Sequence, residues 1–432
     1  MAFDTDIKLR NQMIYQVFPR QYSKEGNLKG VTKDLDRIKS LGTSILYLLP
    51  IHPIGQKNKK GSLGCPYSIK DYRLVDPNIG TLLDLKELIE EVHKRDMKII
   101  IDVVYNHTSR DSFLLNEHPN WFYKNEKNEF ANRVGDWWDV TDLDYSSTKD
   151  LWNELIDTLC YWAKMGIDGF RCDVAPLIPR EFWTLARKAL KEINPNVLLL
   201  AESIDPGFVK YIRDCGYDAM SDSETYEVFD MEYEYDIREQ KEGYVKKGAP
   251  LNDWLRANLV QETTYPKNYV KARYLDNHDV ERAAKYIKDE IKLRNLTAMV
   301  FMLKGIAFIY AGFEACDPKI PSLFDYDYVD WTDYNKFGLA DLITKLSQIK
   351  KDPLFATGIY NIILEECEVA HITYEDNNEM IEIILNLGSC KNSINTKAKN
   401  GKYTNLITDE VLEVKDGMIQ LIADPVVIKF NK

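Results

Sequence analysis

Residues 166–174 read Gly-Ile-Asp-Gly-Phe-Arg-Cys-Asp-Val, a mostly apolar stretch that holds Arg171 and Asp173 two positions apart. On a strand, residues i and i+2 point to the same face, so both side chains would aim at one spot while Cys172 turns away. An unpaired buried charge is costly. The pair is therefore either a structural ion couple or a carboxylate held in a site by a cation. Similar residues end other apolar runs: Asp102-Val-Val-Tyr-Asn-His107, Ala201-Glu-Ser203 and Asp276-Asn-His-Asp279. If these runs are neighbouring strands, Asp173, Glu202 and Asp279 converge with His107, His278 and Arg171. Two carboxylates so placed suit glycoside hydrolysis, one attacking the anomeric carbon and one protonating the leaving oxygen, about 5–5.5 Å apart for retention. Arg171 would hold Asp173 ionised, and Glu202, beyond an apolar run and near other carboxylates, would sit where its protonated form is favoured.

The elements that must position these residues alternate between short apolar runs and amphipathic segments. Runs at 13–18, 44–49, 98–105, 166–174, 196–201, 271–275 and 305–310 are continuous in apolar character, as strands buried on both faces must be. Residues 217–220 are a weaker candidate for the sixth in this series. Helical spacing fills 31–41, 82–95, 149–164, 181–191, 206–214, 288–303 and 334–350. Eight such units predict an α/β fold, a (β/α)8 barrel whose site lies at the strands' C-terminal ends. The interval 107–145 is too long for a plain connection and reads as a short inserted subdomain, with Trp121, Trp137 and Trp138 as its small core. The acidic run 224–239 reads as a solvated face. From about 355 the pattern changes to short alternating strands, with Asp416-Gly417 as a hairpin turn. The expected division is a barrel of 1–106 and 146–350, an insertion at 107–145 and a C-terminal all-β sandwich at 351–432.

Composition narrows the partners. A net charge of -12 across 432 residues argues against nucleic acid or an anionic membrane surface, both of which need basic surface. It suits a neutral or cationic small molecule. Seven cysteines without a CxxC pair form neither a disulfide framework nor a zinc ribbon. The first ten residues lack the apolar core of a secretory signal, and no apolar run is long enough to span a bilayer. The expectation is a cytoplasmic protein without a cofactor or membrane partner.

At these residues the chain resembles the α-amylase family of glycoside hydrolases. The motifs are DVVYNH from Asp102, GFRCDVA from Gly169, AES from Ala201 and YLDNHD from Tyr274, in order. Further similarity lies in GCPYSIKDYRLVDPNIGT from Gly64, TDLDY from Thr141 and GIAFIYAGFEA from Gly305. The resemblance implies Asp173 as nucleophile, Glu202 as acid/base and Asp279 as transition-state stabiliser. It implies Arg171 as the residue orienting the nucleophile, His107 and His278 as ligands of the sugar ring, and Tyr67 as the platform beneath it. The implied activity is retaining cleavage of α-1,4 bonds in maltodextrins. A 4-α-glucanotransferase of the same family and a non-catalytic glucan-binding barrel are the alternatives. Three departures bear on this. Pro176-Leu177 stands where many members carry a Lys-His pair that binds sugar and a calcium ion. Asn106 and Asp142 resemble the other calcium ligands but make only half a site, so no metal is expected. Ser68 stands where α-glucosidases of the family usually have an Asp, and the short insertion implies an open cleft.

Overall fold

The computed structural model describes residues 2–134 and 137–432; positions 135 and 136 of the expected insertion lie outside them. Eight parallel strands close into a barrel in sequential order. They are β1 (Met13–Val17), β2 (Ile45–Leu48), β3 (Lys98–Val103), β4 (Gly169–Cys172), β5 (Leu198–Ala201), β6 (Met231–Tyr233), β7 (Lys271–Arg273) and β8 (Ile306–Tyr310). The two-residue period of a strand sorts their side chains. Ile14, Ile45, Tyr47, Ile100, Leu198, Leu200, Tyr233, Ala272 and Phe308 pack together in the lumen. Ile99, Ile101, Phe170, Cys172, Leu199 and Ala201 join the layer between the strands and the surrounding helices, so Cys172 does face away from Arg171. The helix Leu82–Lys94 starts at a capping box of Thr81 and Asp84 and buries Leu85, Leu88, Ile89 and Val92 against that layer. The expected barrel is present.

The sixth strand is not where the apolar pattern puts it. Residues 217–220 form a loop, whose Met220 N–H donates to Pro176 O at 2.9 Å, and β6 lies in the acidic run instead. Glu232 and Glu234 are 0% and 1% exposed. The alternation explains this: Met231 and Tyr233 enter the lumen, so the glutamates face outward, where β7 presents Lys271 and Arg273. Lys271 Nζ lies 2.5 Å from Asp222, 3.2 Å from Glu232 and 3.3 Å from Asp236. Glu234 is held by Lys241 at 2.8 Å and Arg273 at 3.0 Å. The run therefore reads as hydrophilic in sequence, yet two of its glutamates are buried by pairing.

The insertion is built on an antiparallel ribbon of His107–Ser109 with Val140–Asp142. Trp121 is buried, whereas Trp138 is 59% exposed and Trp137 rests 5.2 Å from the His107 ring, so the three tryptophans do not share one core. The C-terminal region holds two four-stranded antiparallel sheets. One is formed by Ile359–Leu364, Val369–Glu375, Glu379–Asn386 and Val426–Asn431, the other by Ser393–Asn395, Gly401–Thr404, Val411–Lys415 and Met418–Gln420. Val369, Ile384, Val414, Ile419 and Ile428 pack together from both. Asp416 and Gly417 both adopt positive φ, 55° and 71°, as a two-residue hairpin requires. Among the described residues, no helix is long and apolar enough to cross a membrane.

Lys271→Met should destabilise the fold by about 3–5 kcal/mol, because it leaves three buried carboxylates without their cation. Urea unfolding measures this. A loss below about 1 kcal/mol would mean that bound protons, not the lysine, neutralise the cluster.

Candidate active site

Three consecutive strands deliver three carboxylates to one guanidinium. Arg171 is fully buried and stands level with Asp102 in the β3–β4 register. Its Nη1 donates to Asp102 Oδ1 and Oδ2 at 2.9 and 3.1 Å and to Asp173 Oδ1 at 2.8 Å. Its Nη2 lies 3.0 Å from Glu202 Oε2. The guanidinium also sits between aromatic faces, 5.7 Å from the Tyr67 ring and 5.6 Å from Tyr233. Below this cluster, β4 and β5 approach closely at Gly169, where a Cβ would meet Leu198 O at 2.3 Å. Just past Asp173 the backbone turns sharply: Val174 has φ 35°, a left-handed conformation that is strained for a β-branched residue. That turn aims the Val174 N–H at Glu202 Oε2, 2.8 Å away.

One positive charge cannot balance three negative ones that are themselves largely buried. Burial raises the Asp102 carboxyl to about 6, with Arg171, Tyr47 and Tyr67 opposing the shift. Burial, and then the Glu202 charge, raise Asp173 well above the usual carboxylate range despite Arg171. Arg171, expected to hold Asp173 ionised, does lower its carboxyl, but it is shared with Asp102 and Glu202 and is outweighed by burial and by those neighbours. Both histidines stay neutral. Burial lowers His107 and His278 to about 3 each, with Lys60 adding to the shift of the first and Arg171 to that of the second.

Tyr67 OH donates to Asp102 Oδ2 at 2.9 Å and lies 2.5 Å from His278 Nε2. The other nitrogen of His278 meets Gln16 Nε2 at 2.8 Å, and Nε2 is 3.1 Å from Asp279 Oδ2. Asp279 opens to solvent with 36% of its side chain exposed. The fold therefore brings together Tyr67, Arg171, Asp173, Glu202, His278 and Asp279. His107 stands beside them, hydrogen-bonded to the Tyr67 backbone. Asp102, Tyr47 and Gln16 were given no role from sequence. Asp102 had a readable signal, since a carboxylate inside Lys98-Ile-Ile-Ile-Asp-Val must face the lumen with Ile100. Gln16 within Met-Ile-Tyr-Gln-Val carried the same mark.

The calcium site that many members of the resembled family carry is incomplete here. Leu177 offers no side-chain oxygen, Asp142 gives Oδ2 to Arg133 and leaves only Oδ1 without a partner, and calcium asks for six to eight oxygens. Among the described residues no group of three or more His, Cys, Asp or Glu is arranged to hold a metal.

A family model for the alpha amylase catalytic domain matches residues 12–320, and one for a bacterial alpha amylase C-terminal domain matches 362–428. Among solved structures, an alpha-amylase from Lactobacillus plantarum is 44% identical, with a TM-score of 0.95, covering 98% of this chain and 100% of that one. A noncanonic maltogenic alpha-amylase from Thermotoga neapolitana is 29% identical, with a TM-score of 0.88, over 98% and 100% of the two chains. Among curated proteins, an alpha-1,4-glucan:maltose-1-phosphate maltosyltransferase from Myxococcus xanthus is 26% identical over 77% of this chain and 50% of that protein. Neopullulanase 2 from Thermoactinomyces vulgaris is 26% identical over 72% of this chain and 58% of its own length. The chain thus spans about half to three-fifths of the length of these curated relatives.

Asp102→Asn should lower kcat/KM for maltooligosaccharides by about 100-fold through loosened positioning. It should also move the acid limb of the pH–rate profile to lower pH. The sign follows from charge: Asp102 is one of the negative groups raising Asp173, and its removal lets Asp173 ionise more readily. An unmoved limb would show that Asp102 does not act on Asp173.

Proposed function

Since the chain belongs to the α-amylase family of glycoside hydrolases, we propose that it is a retaining hydrolase of α-1,4-linked maltodextrins. The observation that carries this reading is the single guanidinium reaching both Asp173 and Glu202. One arginine can do so only when the two carboxyl groups are near neighbours, as the about 5–5.5 Å of retaining chemistry requires. Arg171 holds Asp173 Oδ1, which leaves Oδ2 to attack the anomeric carbon. Arg171 and the Val174 N–H hold Glu202 Oε2, which leaves Oε1 to carry the proton that the glycosidic oxygen needs.

As the bond to the leaving oxygen breaks, that oxygen takes the proton and Asp173 becomes bonded to the sugar. Glu202, now a carboxylate, draws a proton from the incoming water, whose oxygen displaces Asp173 and restores the resting pair. Asp279, exposed at the mouth, steadies the oxocarbenium-like charge in both steps. Neutral His107 and His278 hydrogen-bond the sugar hydroxyls, and Tyr67 lies beneath the ring. The chemistry is assigned to residues 1–106 and 146–350, with 107–145 as one wall of the cleft and 351–432 as a covering β domain.

Ser68 supports dextrins over the terminal sugar alone. It is buried, with its hydroxyl donating to Asp139 O at 3.1 Å, so no carboxylate stands there to grip a chain end. The names of similar proteins point the same way: an α-amylase and a maltogenic α-amylase over nearly their full lengths.

Asp173→Asn should cut release of reducing ends from maltoheptaose by on the order of 10³-fold or more while circular dichroism stays unchanged. A product time course for the unmodified enzyme should show only shorter sugars. Products longer than the starting sugar would make it a glucanotransferase, and no turnover would make it a glucan-binding barrel.

A further inference from the structure

Beside the site lies a cavity of about 420 Å³ bordered by the insertion and by Gly216, Tyr217 and Asp218, just past the helix Pro206–Asp214, and Arg133 lines it. The Arg133 N–H donates to Asp142 Oδ2 at 2.7 Å, and its Nη1 approaches the same oxygen at 3.4 Å. Nη1 also donates to Leu143 O at 3.1 Å, and Nη2 lies 3.7 Å from Asp144 Oδ1. Asp142 is nearly closed off, with 2% of its side chain exposed. The faces of the guanidinium meet two rings, Tyr123 at 4.7 Å and Tyr217 at 5.6 Å. The two phenolic oxygens lie 3.3 Å apart.

These contacts join two loops that reach the catalytic groups. Asp142 pairs with His107 in the ribbon, and the next residue, Leu143, donates its N–H to Asn106 O at 3.0 Å. On the other side, Tyr217 leads to Met220, whose N–H donates to Pro176 O, three residues past Asp173. Asn106 and Asp142, the two residues that resemble metal ligands, both lie on the ribbon side, so the link to the Tyr217 segment runs through Arg133 and its aromatic neighbours. The site here offers something a metal ion does not use, namely aromatic faces around a planar cation whose edge hydrogen-bonds a carboxylate and a carbonyl.

We infer that Arg133 is a built-in substitute for a metal ion. It is a positioning residue that fastens the His107 ribbon and the turn after Asp173, and it makes the chain independent of divalent cations.

The test compares the unmodified protein, Arg133→Met and Arg133→Lys, each in EDTA and in millimolar calcium, by melting temperature and by maltoheptaose kinetics. The unmodified protein should show the same Tm and kcat/KM in both conditions. Arg133→Met should melt lower and raise KM several-fold with a smaller effect on kcat, and Arg133→Lys should recover part of both losses. Loss of Tm or kcat/KM on adding EDTA to the unmodified protein would overturn the inference in favour of a bound metal. Arg133→Met matching the unmodified protein, or Arg133→Lys behaving like Arg133→Met throughout, would overturn it as well. If Arg133→Met does not fold, the EDTA comparison and Arg133→Lys decide. The melting arms do not depend on the proposed hydrolysis, so absence of turnover would sink that reading and leave this one standing on Tm.

Discussion

The structure depends on the burial of one guanidinium among three carboxylates. Arg171 has no exposed surface, and removing a charge from water costs several kcal/mol unless partners replace the lost hydration. Asp102, Asp173 and Glu202 do so from β3, β4 and the end of β5, and the rings of Tyr67 and Tyr233 cover the guanidinium faces. One cation among three carboxylates leaves a surplus of negative charge, and such a pocket favours positive charge developing on a bound group, which in the proposed reaction is the sugar of the glycosidic transition state.

A second group of the same composition shows that charge convergence alone does not make a site. Lys271 with Asp222, Glu232 and Asp236 repeats the ratio of one cation to three carboxylates. The difference is the face of the strand. Lys271 and Glu232 point outward under the helices, where Tyr226 and Tyr265 lie over the lysine. Arg171 and Asp173 point into the lumen at the end that opens to solvent through Asp279. Parity along a strand thus separates a structural cluster under the helices from the candidate site in the lumen.

That same parity explains what could be read before the fold was seen. Strands such as Ile45–Leu48 and Leu198–Ala201 are apolar on both faces, so their runs were plain in the sequence, as were helices with a single apolar stripe such as Lys149–Lys164. The motif carboxylates stood out because each follows such a run. β6 was hidden because its outward face is charged and its partners lie forty residues away on β7, an arrangement no local pattern records. Asp102 was visible but had no assigned purpose, since its importance arises from Arg171 and Tyr67, which reach it from separate parts of the chain. Trp138 was misjudged for a related reason. A tryptophan in a small insertion reads as core, whereas this one stands exposed above Lys60.

The left-handed backbone at Val174 has a consequence for how such a protein can adapt to heat. Glycine at this position would relieve the strain of φ 35°, and a lineage selected only for thermal persistence would gain from it. Glycine would also loosen the turn that presents the Val174 N–H to Glu202, and with it the orientation of the carboxyl proposed as proton donor. Endurance and turnover therefore pull in opposite directions on a single residue. A heat-adapted descendant would have to find its added stability elsewhere, in the helices and the C-terminal sheets, and carry the strained turn unchanged.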